Sequence, residues 1–443
     1  MIAQSDSIRL RFFNRTENFT KRIEFCYNKR GFSTISLRLG NRMKLLIVCQ
    51  HFYPEQFRIN DICFELVKRG HDVTVLTGLP NYPKGKVLNE YRGFKNYHEV
   101  IQGVTVERSF LIGRGSSLIM MGINYACFTI MASLKALVMK KDFDLVYVYQ
   151  ISPVTMAVPA ILIKKIKKIP LIIHCLDQWP ISVTTGPIPK ESLFYKILYQ
   201  LSRNIYRQAD LITLSSKSFR TYFEEELKLN QDSFGLVYWP SYAEDNYGHI
   251  QSVENDTFDL VFAGNIGPAQ SVETIIEAAK LLRDHPAIRF HIVGDGLSRA
   301  GCEALAQSYE LSNVVFHGYH PVSEMAEYYA IADAFLITMV NNDVVNQTLP
   351  AKLQSYMLAG KPILGAINGE VRNAVEEANC GLCCESMDSA GLAELILQAA
   401  SQPENYRKWC ANARAYYEAN FDKEKLLVEL EEMMVKLSNN NHR

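Results

Sequence analysis

The sequence predicts an α/β protein built from two Rossmann-like halves. Three stretches carry that expectation. Residues 45–76 read strand, loop, helix, strand, a βαβ unit that is right-handed by default. A second such set begins at Phe258–Ala263 and passes through a glycine-bearing loop, Gly264–Ser271, into a helix over 272–283. Between them residues 240–257 are polar and irregular, as an interdomain linker would be.

Composition sets the bounds. The 443 residues, 48% of them hydrophobic, leave room for two or three domains with ample core. Formal charge is zero, so nothing favours nucleic acid or another polyanion. The ten cysteines have no regular spacing, and Cys380-x-x-Cys383 stands alone beside Cys384. That pattern reads as buried thiols in a reducing compartment rather than a metal or redox site. Residues 1–42 hold nine Lys/Arg and three Asp/Glu. They are expected to form a poorly ordered extension, with a basic targeting segment as the alternative. Met43 then opens what looks like an ordinary first strand with its own start Met.

The first half follows in order. Strand Leu45–Cys49 leads to a polar loop, Gln50–Asn60, and a helix is expected over Asp61–Arg69, with Ile62, Leu66 and Val67 on one face and Gly70 as the stop. Ligands in such sheets sit beyond the carboxyl ends of strands. This places Glu55, Arg58 and Asn60 at the ligand edge as candidate site residues. Pro54 and Pro80 otherwise only shape turns. Ser117–Met139 is a long apolar run broken by Asn124, Thr129, Ser133 and Lys135. A buried core helix is expected, with an interfacial helix or a true span as alternatives. Ile163–Ile169 ends an apolar helix with four lysines. These are a solvated last turn or a contact with anionic head groups. Strand Pro170–His174 delivers Asp177, a carboxylate at a strand's carboxyl end followed by Trp179-Pro180. Asp177 is a candidate to orient an acceptor hydroxyl or take its proton, or else a turn cap. His174 points the other way by strand alternation and is read as core.

In the second half Gly264 and Gly267 let the backbone approach a ligand, and the following helix N-terminus favours a phosphate. Strand Arg289–Val293 ends in Gly294-Asp295-Gly296. Residues 346–370 form a loop ending in Leu349-Pro350, a short helix over Lys352–Leu358, a stop at Gly360, a buried strand Ile363–Ala366 and a turn at Asn368-Gly369. Pro350 presets a helix start, whose free N–H groups suit a phosphate. Strand one lacks Gly-x-Gly-x-x-Gly, which argues against a dinucleotide oxidoreductase. The Gly264 loop lacks the Lys-Ser/Thr of a P-loop ATPase.

Several of these residues stand in a known order. Met357, Gly360 and Pro362 fit a Met-Ala-x-Gly-x-Pro run, Gly294-Asp295-Gly296 fits a second signature, and Pro54-Glu55 with Asn60, Gly78–Gly85 and Asp177-x-Trp179-Pro180 fit a third set. Over about residues 43–440 the chain resembles the retaining GT-B glycosyltransferases of the glycosyl transferases group 1 family (GT4). Within it the chain resembles the branch of capsule, colanic-acid-like and O-antigen transferases. Four positions depart from the pattern. Asn265 and Gln270 stand where the family has Arg and Lys, and Gln347 and Ser355 stand where it has carboxylates.

The resemblance implies a GT-B fold: two Rossmann-like domains facing a cleft, with a C-terminal helix crossing back to the first. The domains would be 43–240 with about 424–443, a linker 241–257, and 258–423 for the nucleotide sugar. It implies transfer of a sugar from a UDP- or GDP-sugar with retention, with no bound metal and no cofactor beyond the donor substrate. Fucose or N-acetylfucosamine is the sugar type suggested. The acceptor would be a lipid-linked saccharide, and the setting the cytoplasm, peripheral on the inner membrane face. Expected donor-site residues are Gly264, Asn265, Gln270, Asp295, Gly296, Pro350, Lys352, Ser355 and Glu370. Asp177 and Glu55 are the expected catalytic residues, and Arg58 and Asn60 the acceptor loop. The neutral substitutions keep two other readings open: a non-catalytic GT-B partner protein and a sugar-nucleotide epimerase.

Overall fold

The computed structural model describes residues 11–12, 22–27, 33–38 and 42–441, except 94, 116, 230–233, 244–249, 251, 252 and 254. The chain forms two compact units. One comprises Met1–Val148, Met156–Ile172 and Leu427–Arg443; the other comprises Tyr149–Thr155 and Ile173–Leu426.

The first unit opens with three short antiparallel strands, β1 (Arg11–Phe12), β2 (Arg22–Tyr27) and β3 (Ser33–Arg38). The rest of the 1–42 extension, and the expectation about it, lies outside the described residues. The main strands are β4 (Lys44–Val48), β5 (Asp72–Gly78), β6 (His98–Ile101), β7 (Val104–Ser109) and β8 (Leu145–Gln150), in the order β8-β4-β5-β7-β6. All pairings are parallel except β6 with β7. The parallel strands therefore run 3-2-1-4 in chain order. The order reverses between β4 and β8, and ligands gather beyond the carboxyl ends at such a reversal. Leu45 to Val48 are fully buried, as an inner parallel strand requires.

The first helix spans Arg58–Lys68, three residues earlier than the sequence suggested. Phe57 is its extended N-cap and offers no side-chain cap. Asn60 reaches back instead: its Oδ1 accepts from Tyr53 N at 3.0 Å and its Nδ2 donates to Glu55 O at 2.7 Å. Arg58 and Asn60 thus belong to the first helical turn, not to the loop. The polar character of that turn disguised its start.

The apolar run forms a helix over Leu118–Val138. Asn124, Phe128, Ala132 and Ala136 are buried. Leu118, Ile119, Ile123, Ile130, Leu134, Leu137 and Val138 are exposed, and only 17% of its most apolar window is buried. One face is core, as expected, but most of the helix is not. It packs on the helix Val158–Lys167, where Lys165 and Ile166 are exposed. The closing helix, Lys423–Asn441, joins this unit through Glu431, which meets Arg69 NH1 at 2.7 Å and His71 Nε2 at 2.8 Å.

In the second unit β9 (Leu171–Cys175), β10 (Leu211–Leu214) and β11 (Gly235–Tyr238) lie side by side. His174 is core: its Nδ1 meets Thr213 Oγ1 at 2.9 Å, its ring meets Trp239 edge-on, and burial pushes it down to about 3. The six-stranded sheet that follows is all parallel. Its strands are β12 (Phe258–Ala263), β13 (Ile288–Val293), β14 (Val314–Gly318), β15 (Ala334–Thr338), β16 (Ile363–Ala366) and β17 (Gly381–Cys384). Their order, β14-β13-β12-β15-β16-β17, is 3-2-1-4-5-6, the doubly wound arrangement with its reversal between β12 and β15. Strand alternation feeds two cores. Val261, Phe335 and Ile337 pack on one face with Tyr356, and Leu260, Phe262 and Leu336 on the other with Ile276. Cys380, Cys383 and Cys384 sit at and on β17, and burial raises all three thiols.

Candidate functional site

Glycines bring two strand ends together at the reversal of the six-stranded sheet. Gly264 after β12 and Gly294 and Gly296 after β13 have φ of 144°, 142° and 156°. Gly264 N donates to Val293 O at 2.9 Å, and Ile266 N to Asp295 O at 2.9 Å. A Cβ on Gly294 would lie 1.8 Å from Gly264 O. The close backbone approach therefore requires glycine. Beside it, Asn265 Nδ2 donates to Gln270 Oε1 at 3.1 Å. Asp295 accepts from Gly296 N at 2.8 Å and lies 3.8 Å from Arg299 NH1.

The helix Ala351–Ala359 comes to the same edge. Pro350 is its extended N-cap, and no side chain caps its first turn. Tyr356 fixes its position. The phenol accepts from Ala263 N at 2.7 Å and donates to Ala263 O at 3.1 Å, and its ring stacks on Phe335. One turn earlier, Lys352 is thereby laid under Gly264. Its Nζ sits 3.8 Å from the centre of the Phe262 ring and 3.5 Å from where a Gly264 Cβ would be. The side chain is half-buried, but Nζ itself is buried and bonds to none of the described residues. Burial pushes this ammonium down to about 7. Ser355 Oγ turns back to Ala351 O at 3.4 Å.

Two expected positions turn elsewhere. Glu370, on the helix Gly369–Ala378, accepts from Ser218 Oγ and, at 3.3 Å, from Lys217 N. It lines a pocket with Tyr238, Glu377 and Tyr416. Gln347 accepts from Gln178 Nε2 at 2.8 Å, and its carbonyl from Ser216 Oγ at 2.6 Å. Asp177 lies beyond β9, bonded to Ser152 Oγ, which also accepts from Trp179 Nε1 at 2.9 Å. Burial raises the Asp177 carboxyl, against the hydroxyl bonds that lower it.

The first unit holds a separate polar cluster beyond β4. Glu55 Oε1 accepts from Asn81 N at 2.7 Å and Tyr82 N at 2.5 Å, and Oε2 lies 2.9 Å from His51 Nδ1. Among the described residues no group of three or more His, Cys, Asp and Glu is arranged to hold a metal ion.

Comparison with known proteins agrees with this arrangement. Residues 247–416 match the family described as "Glycosyl transferases group 1", and residues 56–232 match the "Glycosyl transferase 4-like domain". Together the two matches take in most of the chain. The two matches, with the relatives that follow, support a group 1 glycosyltransferase. It is 22% identical over 411 residues to the putative colanic acid biosynthesis glycosyl transferase WcaI of Escherichia coli K12, covering 87% of this chain and 98% of that one. It is 26% identical over 239 residues to the probable glycosyltransferase WbjE of Pseudomonas aeruginosa, covering 51% and 58%. Among solved structures, Anabaena HepE in complex with UDP and glucose superimposes with a TM-score of 0.64 at 17% identity, covering 89% of this chain and all of that one.

The chain has the GT-B fold expected, with two parallel-sheet α/β parts and a returning terminal helix. Its glycine loops, Asn265, Gln270, Asp295, Pro350, Lys352 and Ser355 converge at one edge of the six-stranded sheet. The sequence reading missed His51, Ser152, Gln178 and Arg299. His51 precedes Glu55 by four residues in one polar loop, a signal present in the sequence. Ser152 and Gln178 show their role only through contacts distant in the chain.

Proposed function

We propose that this protein transfers a sugar from a nucleoside-diphosphate sugar to a lipid-linked glycan acceptor in assembly of a bacterial surface polysaccharide. The observation that carries the reading is Lys352: a buried ammonium with no hydrogen bond from the described residues, beneath the glycine loops of a doubly wound sheet. Breaking the anomeric bond leaves negative charge on the diphosphate, and cationic and N–H donors aimed at those oxygens stabilise it. Lys352, the free N–H groups after Pro350 and the Asn265–Gln270 amides supply such donors. Gly264 and Gly296 let the diphosphate approach the backbone. Asp295 and Ser355 are assigned to the sugar and nucleoside. A diphosphate would restore the charge on Lys352 that burial disfavours.

UDP- and GDP-sugars, with fucose- or N-acetylfucosamine-type sugars, are the proposed donors, and retention is the proposed outcome. Asp177, Arg58 and Asn60 are assigned to the acceptor side. The likeness to WcaI, a putative colanic acid biosynthesis transferase, supports a surface polysaccharide as the product. The exposed apolar face of Leu118–Val138, beside Lys165 and Ile166, supports work at the cytoplasmic face of the inner membrane. The test measures UDP or GDP release from a donor panel with bacterial lipid extract as acceptor. Acceptor-dependent release is expected. A folded sample that releases neither nucleotide overturns the reading, and an isomerised donor without acceptor would make it an epimerase.

One observation favours a second reading. Asn265 spends an amide N–H on Gln270 Oε1, as a decayed site in a non-catalytic partner would allow. Calorimetry with UDP and GDP separates the two. Tight binding that is lost in Lys352→Ala excludes decay.

A further inference from the structure

Arg114 of the first unit is held in place without a carboxylate. Its NH2 donates at 3.1 Å to Met121 Sδ, in the first turn of Leu118–Val138, and its guanidinium lies 5.8 Å from the centre of the Tyr82 ring. A thioether is a weak acceptor, so most of the five guanidinium donors take no bond from the described residues. Arg69 and Arg108 of the same unit each meet a carboxylate, at 2.7 and 2.6 Å. The backbone fixes the position. Arg114 N donates to Asn81 Oδ1 at 3.1 Å and Gly115 N to Gly85 O at 2.9 Å. These bonds lace the chain entering the helix to the loop that carries Tyr82 and the exposed Lys84 and Lys86.

The surroundings carry one sign of charge. No Asp or Glu occurs from Arg108 to Lys141, nor from Leu145 to Leu176. The helix Leu118–Val138 and its neighbour Val158–Lys167 therefore present no acid. Arg114 touches two different surfaces. The helix side exposes Leu118, Ile119 and Ile123, with Phe110 and Ile112 exposed just before it. The loop side is polar: the Tyr82 ring lies 5.7 Å from that of His51, and Tyr82 N and Asn81 N both donate to Glu55 Oε1. The order is apolar, cationic, polar. A lipid joined to a sugar through phosphate has the same order. Attraction to an anionic bilayer needs only mobile surface cations. An arginine fixed between a ring and a helix is arranged for one particular anion.

We propose that Arg114, with Tyr82, Lys84 and Lys86 of the facing loop, seats the phosphate that joins an acceptor's sugar to its lipid. This rests on the glycosyltransferase reading above and names where its lipid-linked acceptor is held. The lipid chain lies along the exposed face of Leu118–Val138 and takes Leu118, Ile119 and Ile123 out of water. The guanidinium fork binds phosphate oxygens two at a time. Tyr82, 41% exposed, offers the next sugar an apolar ring to pack against.

The test measures binding to the full chain of farnesyl diphosphate, farnesol, inorganic diphosphate and vesicles of anionic phospholipid. UDP and GDP are kept in excess, so that a diphosphate does not register at the glycine loops. Wild type should bind farnesyl diphosphate at least about tenfold more tightly than farnesol or inorganic diphosphate. Arg114→Gln should lose about tenfold or more for farnesyl diphosphate and nothing for farnesol. Arg114→Lys, which keeps the charge without the fork, should fall between. Ile119→Ser should weaken both farnesyl ligands alike. In transfer onto bacterial lipid extract, Arg114→Gln should raise the acceptor KM and leave kcat unchanged. Equal affinity of wild type and Arg114→Gln for farnesyl diphosphate overturns the inference. So does inorganic diphosphate that binds as tightly as farnesyl diphosphate. A loss of vesicle binding in Arg114→Gln as large as its loss for farnesyl diphosphate would make Arg114 a bilayer contact and overturn it too. A wild type that binds farnesyl diphosphate through Arg114 but releases no nucleotide with any donor overturns the glycosyltransferase reading and leaves the lipid-phosphate site standing.

Discussion

Lys352 carries its Nζ 3.8 Å from the centre of the Phe262 ring, with no hydrogen-bond partner among the described residues. The ring face attracts a cation, but the lost hydration outweighs it, and burial pushes the ammonium down to about 7.

A bound diphosphate favours the ammonium, so its pKa is higher in the complex than in the free protein. Affinity for UDP or GDP should then be full below about pH 7 and weaken above it, by up to about tenfold per pH unit. Binding above pH 7 should take up a proton, visible by calorimetry in buffers of different ionisation enthalpy. Lys352→Met should bind weakly at every pH, with the dependence gone. For the free protein the sign is opposite. Between pH 7 and the ordinary lysine range the unfolded chain holds the proton that the folded one has lost. This group therefore adds stability as pH rises through that window.

Gly294→Ala should fail at the same edge. Its φ is 142°, and the new Cβ would meet Gly264 O at 1.8 Å. The β12 and β13 loops would have to part. Thermal unfolding should show a loss of about 3 kcal/mol or more, together with lost nucleotide binding. Gly301→Ala, where a Cβ meets nothing within 4 Å, is the control and should cost nothing.

The terminal helix depends on Glu431. Its carboxylate is 5% exposed and meets both Arg69 and His71. Glu431→Gln removes the charge and leaves Arg69 facing a neutral amide. Denaturant unfolding should show a loss of about 3 kcal/mol.

The exposed face of Leu118–Val138 should partition to bilayers. Sedimentation with vesicles of anionic phospholipid is expected to pull down wild type, and less of it with neutral lipid or at high salt. Replacing exposed Ile119 and Ile130 together with Ser should weaken binding by about 3 kcal/mol or more, from the apolar area removed. Folding should be untouched, because neither side chain is part of the core. Equal recovery of wild type and variant would refute a role for this face.

Much of the fold was legible in the sequence because strands of a parallel sheet are buried on both sides and read as unbroken apolar runs. Leu45–Val48, Val261–Ala263 and Phe335–Ile337 are of that kind. The glycines at strand ends were legible because no other residue accepts their backbone. What misled was polarity at a helix start. Arg58 and Asn60 looked like loop because Asn60 bonds backwards to Glu55 and Tyr53 instead of outwards. The 118–138 helix read as core because hydropathy records composition and not which face is covered.

The sequence by itself determined two α/β halves, the glycine loops, the Pro350 helix start and the loss of charge at Asn265, Gln270, Gln347 and Ser355. All of these are local: a period, a turn residue or a substitution in a pattern. The tertiary structure decided where replacement charge can come from. Only the Tyr356 clasp on Ala263 lays Lys352 beneath Gly264, and only the packing of the 78–85 loop on Glu55 holds that carboxylate beside His51. Those relationships join residues 93 and 26 positions apart in the chain. Sheet order brings them together, and no local pattern records it.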